Sequence, residues 1–267
     1  MIDDKETLNE YSPKKPIGWI KSIFYFGIPA VVFIFAIYYI TPFLENLGVS
    51  SFHAYYLASL FPLILMIIAS IIFLKLETGK MNRKVWTERA RFKPLKGKIW
   101  IWILGAVIFS GIAYLLVSQL TAIIVSSGII PIPKSDPLFL DPTSGESPLL
   151  SFTSAVEGIS GKFFTFILII IGLILNIAGE EMWWRGVVLP RQELYFKDKT
   201  WLVHGVFWTL FHAFKYWDFL TLLPLAFAVT IVVCKFKNSS SGVVIHFTNN
   251  FIGTLPTILF LFGLINP

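Results

Sequence analysis

The chain has 267 residues, of which 55% are hydrophobic, 16% aromatic and only 14% charged, with a formal net charge of +6. Soluble domains carry roughly a quarter charged residues, so this composition excludes an ordinary soluble domain. The excess apolar residues form long charge-free runs, and no basic, aromatic-bearing soluble surface is left for nucleic-acid binding. The composition therefore predicts an all-α, polytopic transmembrane helical bundle with the lipid bilayer as its surroundings and no nucleic-acid partner.

The first 21 residues are polar and contain proline, and no short apolar stretch among them is followed by a small-residue cleavage site. We expect residues 1–21 to be a cytoplasmic N-terminal segment and residues 22–267 to form a single transmembrane domain. Cys234 is the only cysteine, so it cannot form an intramolecular disulfide, and we interpret it as a helix-end residue.

Apolar runs long enough to span the bilayer follow one another along the chain, since about 20 apolar residues cross the hydrocarbon core as a helix. They are predicted at 22–44, 54–74, 99–124, 163–192, 200–217, 218–234 and 239–253, with a shorter eighth at 254–267 that contains Pro256. The chain is thus expected to have seven or eight spans. The polar connection 127–161 is expected to be an outer loop rather than a lid.

Lysine and arginine are concentrated in alternate connections. The basic segments are residues 5–21, 75–98, 191–199 and 235–237. If the spans alternate, all of these lie on one side, and the opposite side holds Lys134, Lys162 and Lys215. By the positive-inside rule the basic side is cytoplasmic. We therefore expect a multi-pass protein of the cell membrane with a cytoplasmic N-terminus.

Ionisable residues deep inside the apolar runs are few, and such residues are costly in a membrane unless paired or hydrated. Glu180, Glu181 and Arg185 lie together in the fourth span. Glu181 and Arg185 are four apart, so they share a helix face and can neutralise each other. Glu180 points elsewhere, on the stripe of Asn176, and is expected to be free for general acid or base chemistry.

The later spans contribute imidazole and amide groups. His212 lies four residues after Trp208, and His246 lies four residues before Asn250. An imidazole and a carboxamide on one helix face can donate hydrogen bonds to a developing oxyanion. Asn249 could take the place of Asn250 after a rotation of the helix.

The depths of these residues match. With a rise of 1.5 Å per residue, Glu180 and His212 each lie about 18 Å from the cytoplasmic face, His246 about 11 Å and Asn250 about 17 Å. One buried polar site is therefore predicted. His204, two turns before His212, is interpreted as an inter-helix hydrogen-bonding residue instead.

The ordered pattern Glu180-Glu181-x-x-x-Arg185, His212 and His246-x-x-x-Asn250 resembles the CPBP family of intramembrane proteases, which includes CAAX prenyl endopeptidases and bacteriocin-immunity relatives. The resemblance covers about 175–253, within a predicted core at about 163–253. The second family motif is usually Phe-x-x-x-His, whereas this chain has Trp208 four residues before His212.

The resemblance implies an endopeptidase that cuts a membrane-associated protein or peptide. It implies that Glu180 and His212 activate a water molecule and that His246 and Asn250 stabilise the oxyanion of the tetrahedral intermediate. No cofactor is implied. Two histidines and a glutamate are also a known catalytic zinc ligand set, so a zinc ion remains the alternative.

In the same resemblance, Glu181 and Arg185 orient the site. A second function stays open, namely a non-proteolytic scaffold, a bacteriocin-immunity factor or a surface-protein export factor that binds a membrane-protein partner. A proton-coupled transporter is disfavoured, because the spans lack the paired, Gly/Pro-broken helices of inverted-repeat carriers.

Overall fold

Helices make up most of the computed structural model, which describes residues 11–13, 15–132, 156, 158–159 and 161–265, and no strand occurs among these residues. The predicted all-α class is confirmed. Five helical stretches in the described ranges are long and apolar enough to cross a membrane. They are Trp19–Asn46, Ser51–Thr78, Ile99–Ser126, Lys162–Phe236 and Ser239–Leu261. The chain is a multi-pass membrane protein.

The first three stretches are helices α1 (Trp19–Asn46), α2 (Ser51–Thr78) and α3 (Ile99–Ser126), and α1 includes a π-helical turn at Ala36–Ile40. Five segments follow. They are α4 (Lys162–Glu180), a π-helical segment (Glu181–Val188), α5 (Leu189–Phe196), α6 (Thr200–Phe211) and α7 (Phe219–Phe236), and the chain then enters α8 (Ser239–Leu261).

The stretch Lys162–Phe236 folds back on itself. His204 of α6 is hydrogen-bonded to Gln192 of α5, and Trp208 of α6 is hydrogen-bonded to Glu180 at the end of α4, so α6 returns antiparallel to α4 and α5. Helix α7 then packs against α6 and α3. Because this stretch holds several helices of different lengths, the predicted count of seven or eight spans is not confirmed.

The predicted span 200–217 is α-helical only as far as Phe211. Helix α6 ends at Phe211, and residues His212–Asp218 form a 3₁₀ helix in which Lys215 has non-helical backbone angles of φ −140° and ψ 56°. Lys215 pairs with Asp218 at 3.1 Å within this turn. Apolar periodicity does not separate an α-helix from a 3₁₀ turn, because the same side chains can pack in either.

The eighth predicted span is not a separate element in the described residues. Helix α8 continues through Pro256 to Leu261. Proline removes one backbone donor, and a helix in an apolar environment tolerates that loss when neighbouring groups compensate. His246 and Asn250 therefore lie on the same continuous helix as the residues assigned to the eighth span.

The basic segments meet at one end of the bundle, as the sequence predicts. The amide of Ile17 donates to the carbonyl of Arg191 at 3.1 Å. The Glu193 carboxylate pairs with Arg91 and with Lys237, each at 2.8 Å. The compartment that this end faces remains a prediction. The predicted outer loop 127–161 lies mostly outside the described residues.

A cysteine-labelling experiment tests the orientation. In a Cys234→Ser background, we expect Ser127→Cys to react with a membrane-impermeant maleimide in intact cells and Lys199→Cys to react only after permeabilisation, since both positions are exposed at opposite ends of the bundle. The reverse labelling pattern would show that the basic end faces outward.

Candidate active site

The carboxylates of the site lie where α4 passes into the π-helical segment Glu181–Val188. Such segments are rare and often occur at functional sites, because the changed hydrogen-bond pattern re-aims side chains. Here Arg89, fully buried, donates to the carbonyls of Gly186 (3.0 Å) and Val187 (3.4 Å). The same guanidinium makes two hydrogen bonds to one oxygen of Glu77, at 2.8 and 2.6 Å. Arg89 thus attaches the basic loop to the segment that carries Glu181.

Burial lowers the pKa of the Arg89 guanidinium, while the neighbouring Glu77 carboxylate acts in the opposite direction. Arginine stays charged under such conditions, so the side chain still holds both the carboxylate and the two carbonyls.

Glu181 contacts a guanidinium and an imidazole through one oxygen. Its Oε1 lies 2.9 Å from an Nη of Arg185 and 2.9 Å from Nδ1 of His246, and all three side chains are buried. The predicted Glu181–Arg185 pair is confirmed, and His246 of α8 joins it. The other oxygen, Oε2, lies against Gly242 of α8, at a position where a Cβ atom would collide with it.

The amides of α8 have distinct surroundings. His246 donates from Nδ1 to the Glu181 carboxylate, so in the neutral ring Nε2 accepts from the Asn250 side-chain amide at 3.3 Å. The same amide donates to Oδ1 of Asn176 at 2.8 Å. Asn249 instead accepts from Ser110 of α3 at 2.9 Å. The structure therefore joins Asn250, and not Asn249, to Asn176 and His246, the residues that contact the two carboxylates.

Glu180 is not free, contrary to the expectation from its helix face. Its Oε1 accepts from the Asn176 amide at 2.8 Å, and its Oε2 accepts from the Trp208 indole N–H at 2.7 Å. Both donors are neutral, and no ion pair to Glu180 occurs in the described part of the chain. The adjacent carboxylates thus differ in surroundings, because Glu181 has a cationic partner and Glu180 has only neutral donors.

These contacts close into a loop, which we call the site ring. Its last contact places the Arg185 guanidinium carbon 3.7 Å from the centre of the Trp208 ring, in a cation–π arrangement. The members in order are Glu180, Asn176, Asn250, His246, Glu181, Arg185 and Trp208. Side chains of α4, α6, α8 and the π-helical segment are joined in this ring.

His212 lies beside the site ring at the end of α6. Its Nδ1 lies 2.9 Å from the backbone carbonyl of Trp208, and because a carbonyl only accepts, Nδ1 carries the proton and Nε2 presents a lone pair. The ring is half-buried and packs against Phe211 and Phe214. His212 and Glu180 are not hydrogen-bonded to each other, and Trp208 is the residue that contacts both.

His204 belongs to a separate contact. Its Nδ1 lies 2.6 Å from Oε1 of Gln192, whose amide donates to Ser22 of α1 at 2.8 Å. This is the inter-helix hydrogen bonding expected for it. In the described residues no three His, Cys, Asp or Glu side chains are grouped to hold a metal ion.

Two members of the site ring were not assigned from the sequence, namely Asn176 and Trp208. Asn176 lies one helical turn before Glu180, and an amide at that spacing within an apolar helix was the available signal. The sequence marks Trp208 only as an aromatic residue four places before His212. Its indole contact depends on the antiparallel packing of α6 on α4, which residue spacing does not reveal.

Loss of the Arg89 guanidinium should destabilise the protein by roughly 3 kcal/mol, because one partner of a buried ion pair and two carbonyl acceptors lose their donor. The change is Arg89→Ala, measured by unfolding of the purified protein in mixed micelles. Arg83→Ala, at an exposed position of the same loop, should stay within about 0.5 kcal/mol of the native protein. Equal effects of the two variants would contradict the attachment role.

Gly242→Ala should displace Glu181, because the new Cβ occupies the space of Oε2. We expect a loss of roughly 1–3 kcal/mol from overpacking. Gly253→Ala is the matched control in the same helix, since a Cβ there meets no atom within 4 Å. Alanine favours a helix interior over glycine by about 1 kcal/mol, so the control should be neutral or stabilising in the same unfolding measurement.

A comparison with protein families adds a further observation. Residues 162–252 match the family model described as "Type II CAAX prenyl endopeptidase Rce1-like". That segment runs from the start of α4 into α8 and carries all six predicted site residues. Searches of curated proteins and of solved structures give no match. The match to this family model over residues 162–252, with the site ring inside them, agrees with the CAAX protease family that the sequence motifs resemble.

Proposed function

We propose that this chain is an intramembrane endopeptidase that hydrolyses a peptide bond of a membrane-associated protein or peptide with water activated by Glu180 and His212. The observation that supports this best is the site ring, in which two adjacent buried carboxylates have different partners. One is neutralised by Arg185, and the other keeps lone pairs available beside a histidine. The family match of the segment points to the same reaction.

The water-activating step uses the remaining lone pairs of Glu180 and His212. Each Glu180 oxygen accepts one hydrogen bond from the protein and can accept another. Nε2 of His212 is a second acceptor. A water molecule held between them loses a proton to one of these groups as its oxygen attacks the carbonyl carbon of the scissile peptide bond.

The tetrahedral intermediate carries a negative oxygen, and α8 holds the donors for it. The side-chain amide of Asn250 can donate one hydrogen bond to the oxyanion in exchange for its present hydrogen bond to Asn176 or to His246. By the family resemblance His246 is the second residue at the oxyanion, and the contact of its Nδ1 with the Glu181 carboxylate holds the ring beside Asn250.

Collapse of the intermediate breaks the C–N bond. The proton taken from water passes from Glu180 or His212 to the leaving amine, so the products are a carboxylic acid and an amine and the enzyme returns to its starting state. Arg185 and Glu181 take no part in the proton transfers. They keep the π-helical segment and α8 in register around the reacting groups.

Alanine substitution of Glu180, His212 or His246 should each abolish cleavage while the protein still inserts and folds. Comparison of the membrane proteomes of cells with the native protein and with Glu180→Ala should reveal an uncleaved protein or peptide that accumulates only in the variant. Processing of that species is then followed for the other two variants. If no such species accumulates in the Glu180→Ala cells, or if the other two variants process it normally, the assignment of the catalytic residues is wrong.

The neighbouring asparagines of α8 give a matched pair. Asn250→Ala should slow processing by about 10²–10³-fold, as loss of one oxyanion donor does. Asn249→Ala removes an amide that contacts Ser110 instead, and processing should continue at close to the native rate.

A non-proteolytic scaffold would behave differently, since its binding of a co-purifying membrane partner would survive Glu180→Ala. Activity that persists in the presence of a zinc chelator would support the metal-free mechanism, and activity that is lost would support the zinc alternative.

A further inference from the structure

We infer that Trp208 is a positioning residue that holds both members of the water-activating pair, and this inference rests on the proposed function. The indole N–H donates to Glu180 at 2.7 Å, and the backbone carbonyl of the same residue accepts from His212 at 2.9 Å. A single buried residue is thus the direct contact of the general base carboxylate and of the histidine beside it.

The indole contact fixes the orientation of the carboxylate. Asn176 binds one oxygen of Glu180 and Trp208 binds the other, so rotation about the last side-chain bond would break at least one hydrogen bond. The unused lone pairs are therefore held in one direction. Tryptophan donates through Nε1 only, and a phenylalanine at this position could fill much of the space but could not donate.

The carbonyl contact exists because α6 ends here. The backbone N–H of His212 bonds to the carbonyls of Thr209 and Leu210 in a tightened last turn, so it does not occupy the Trp208 carbonyl. Carbonyls at a helix C-terminus need partners from elsewhere. The imidazole of His212 supplies one, and this leaves its Nε2 as the available acceptor.

The indole ring of Trp208 also contacts Arg185 and His246. Arg185 lies 3.7 Å from the ring centre, and His246 meets it edge-on at 5.1 Å between centroids. In Trp208→Phe the indole N–H is lost, but the benzene ring that remains still presents an aromatic face. The contacts with Arg185 and His246 should therefore be kept. The expected defect is specific to Glu180.

The chain supplies a matched control in Trp184. This residue is fully buried and stacked on Phe26 at 4.2 Å, but its indole nitrogen has no hydrogen-bond partner among the described residues. Trp184→Phe removes the same atoms as Trp208→Phe without removing a hydrogen bond. Differences between the two variants therefore report the N–H of Trp208 and not the loss of ring volume.

The first measurement needs no substrate. In protein labelled with ¹⁵N at the tryptophan indole nitrogens and held in detergent micelles, the cross-peak lost in Trp208→Phe should move in Glu180→Gln. The cross-peak lost in Trp184→Phe should stay in place. An unmoved Trp208 peak would overturn the inference, because the indole would then not be bonded to Glu180.

The second measurement is the processing rate of the species that accumulates in Glu180→Ala cells. Trp208→Phe should lower kcat by roughly tenfold to a hundredfold with KM unchanged, as loss of a hydrogen bond to a charged group does. Trp184→Phe should process at close to the native rate. Equal rates for the two variants, with Glu180→Ala inactive, overturn the role of Trp208 and leave the proposed function standing. If no uncleaved species accumulates in Glu180→Ala cells, the proposed function itself is overturned, while the indole measurement still tests the contact between Trp208 and Glu180.

Discussion

The arrangement of the site depends on the contacts that the buried carboxylate of Glu181 makes with Arg185 and His246. Arg185 belongs to the same π-helical segment, whereas His246 lies in α8, 65 residues later in the chain. A charge without partners at this depth would be strongly unfavourable, and removal of one partner of a buried pair is far more damaging than removal of both. The position of α8 against α4 is therefore tied to electrostatics as well as to packing.

The second carboxylate shows how adjacent residues of one type can differ. Glu180 and Glu181 are neighbours in sequence, yet they point to different sides of the chain and have different donors. Neutral donors orient Glu180 without cancelling its charge. An adjacent arginine cancels most of the charge of Glu181. Pairs of titratable groups in contrasting surroundings are the usual basis of divided roles in acid–base catalysis.

Much of this could be predicted from the sequence. The apolar runs predicted helices, and four-residue spacing predicted the Glu181–Arg185 pair and the His246–Asn250 contact. Similar depths in the membrane predicted a single site. All of these follow from helix geometry and from the cost of burying charge.

The rest depends on information that spacing does not carry. The π-helical segment at Glu181–Val188 is stabilised from outside by Arg89, about a hundred residues earlier. The end of α6 at Phe211 depends on backbone angles around Lys215. The Trp208 contact to Glu180 depends on how two antiparallel helices face each other. Each of these is a tertiary effect that overrides local periodicity.

The order of the residues along the chain has a consequence for synthesis. Glu181 and Arg185 emerge from the ribosome within four residues of each other, so the segment that carries them can enter the bilayer as a nearly neutral unit. His246 and Asn250 are made last. The site ring stays open until α8 inserts, and the growing chain therefore holds no complete site until α8 is in the membrane.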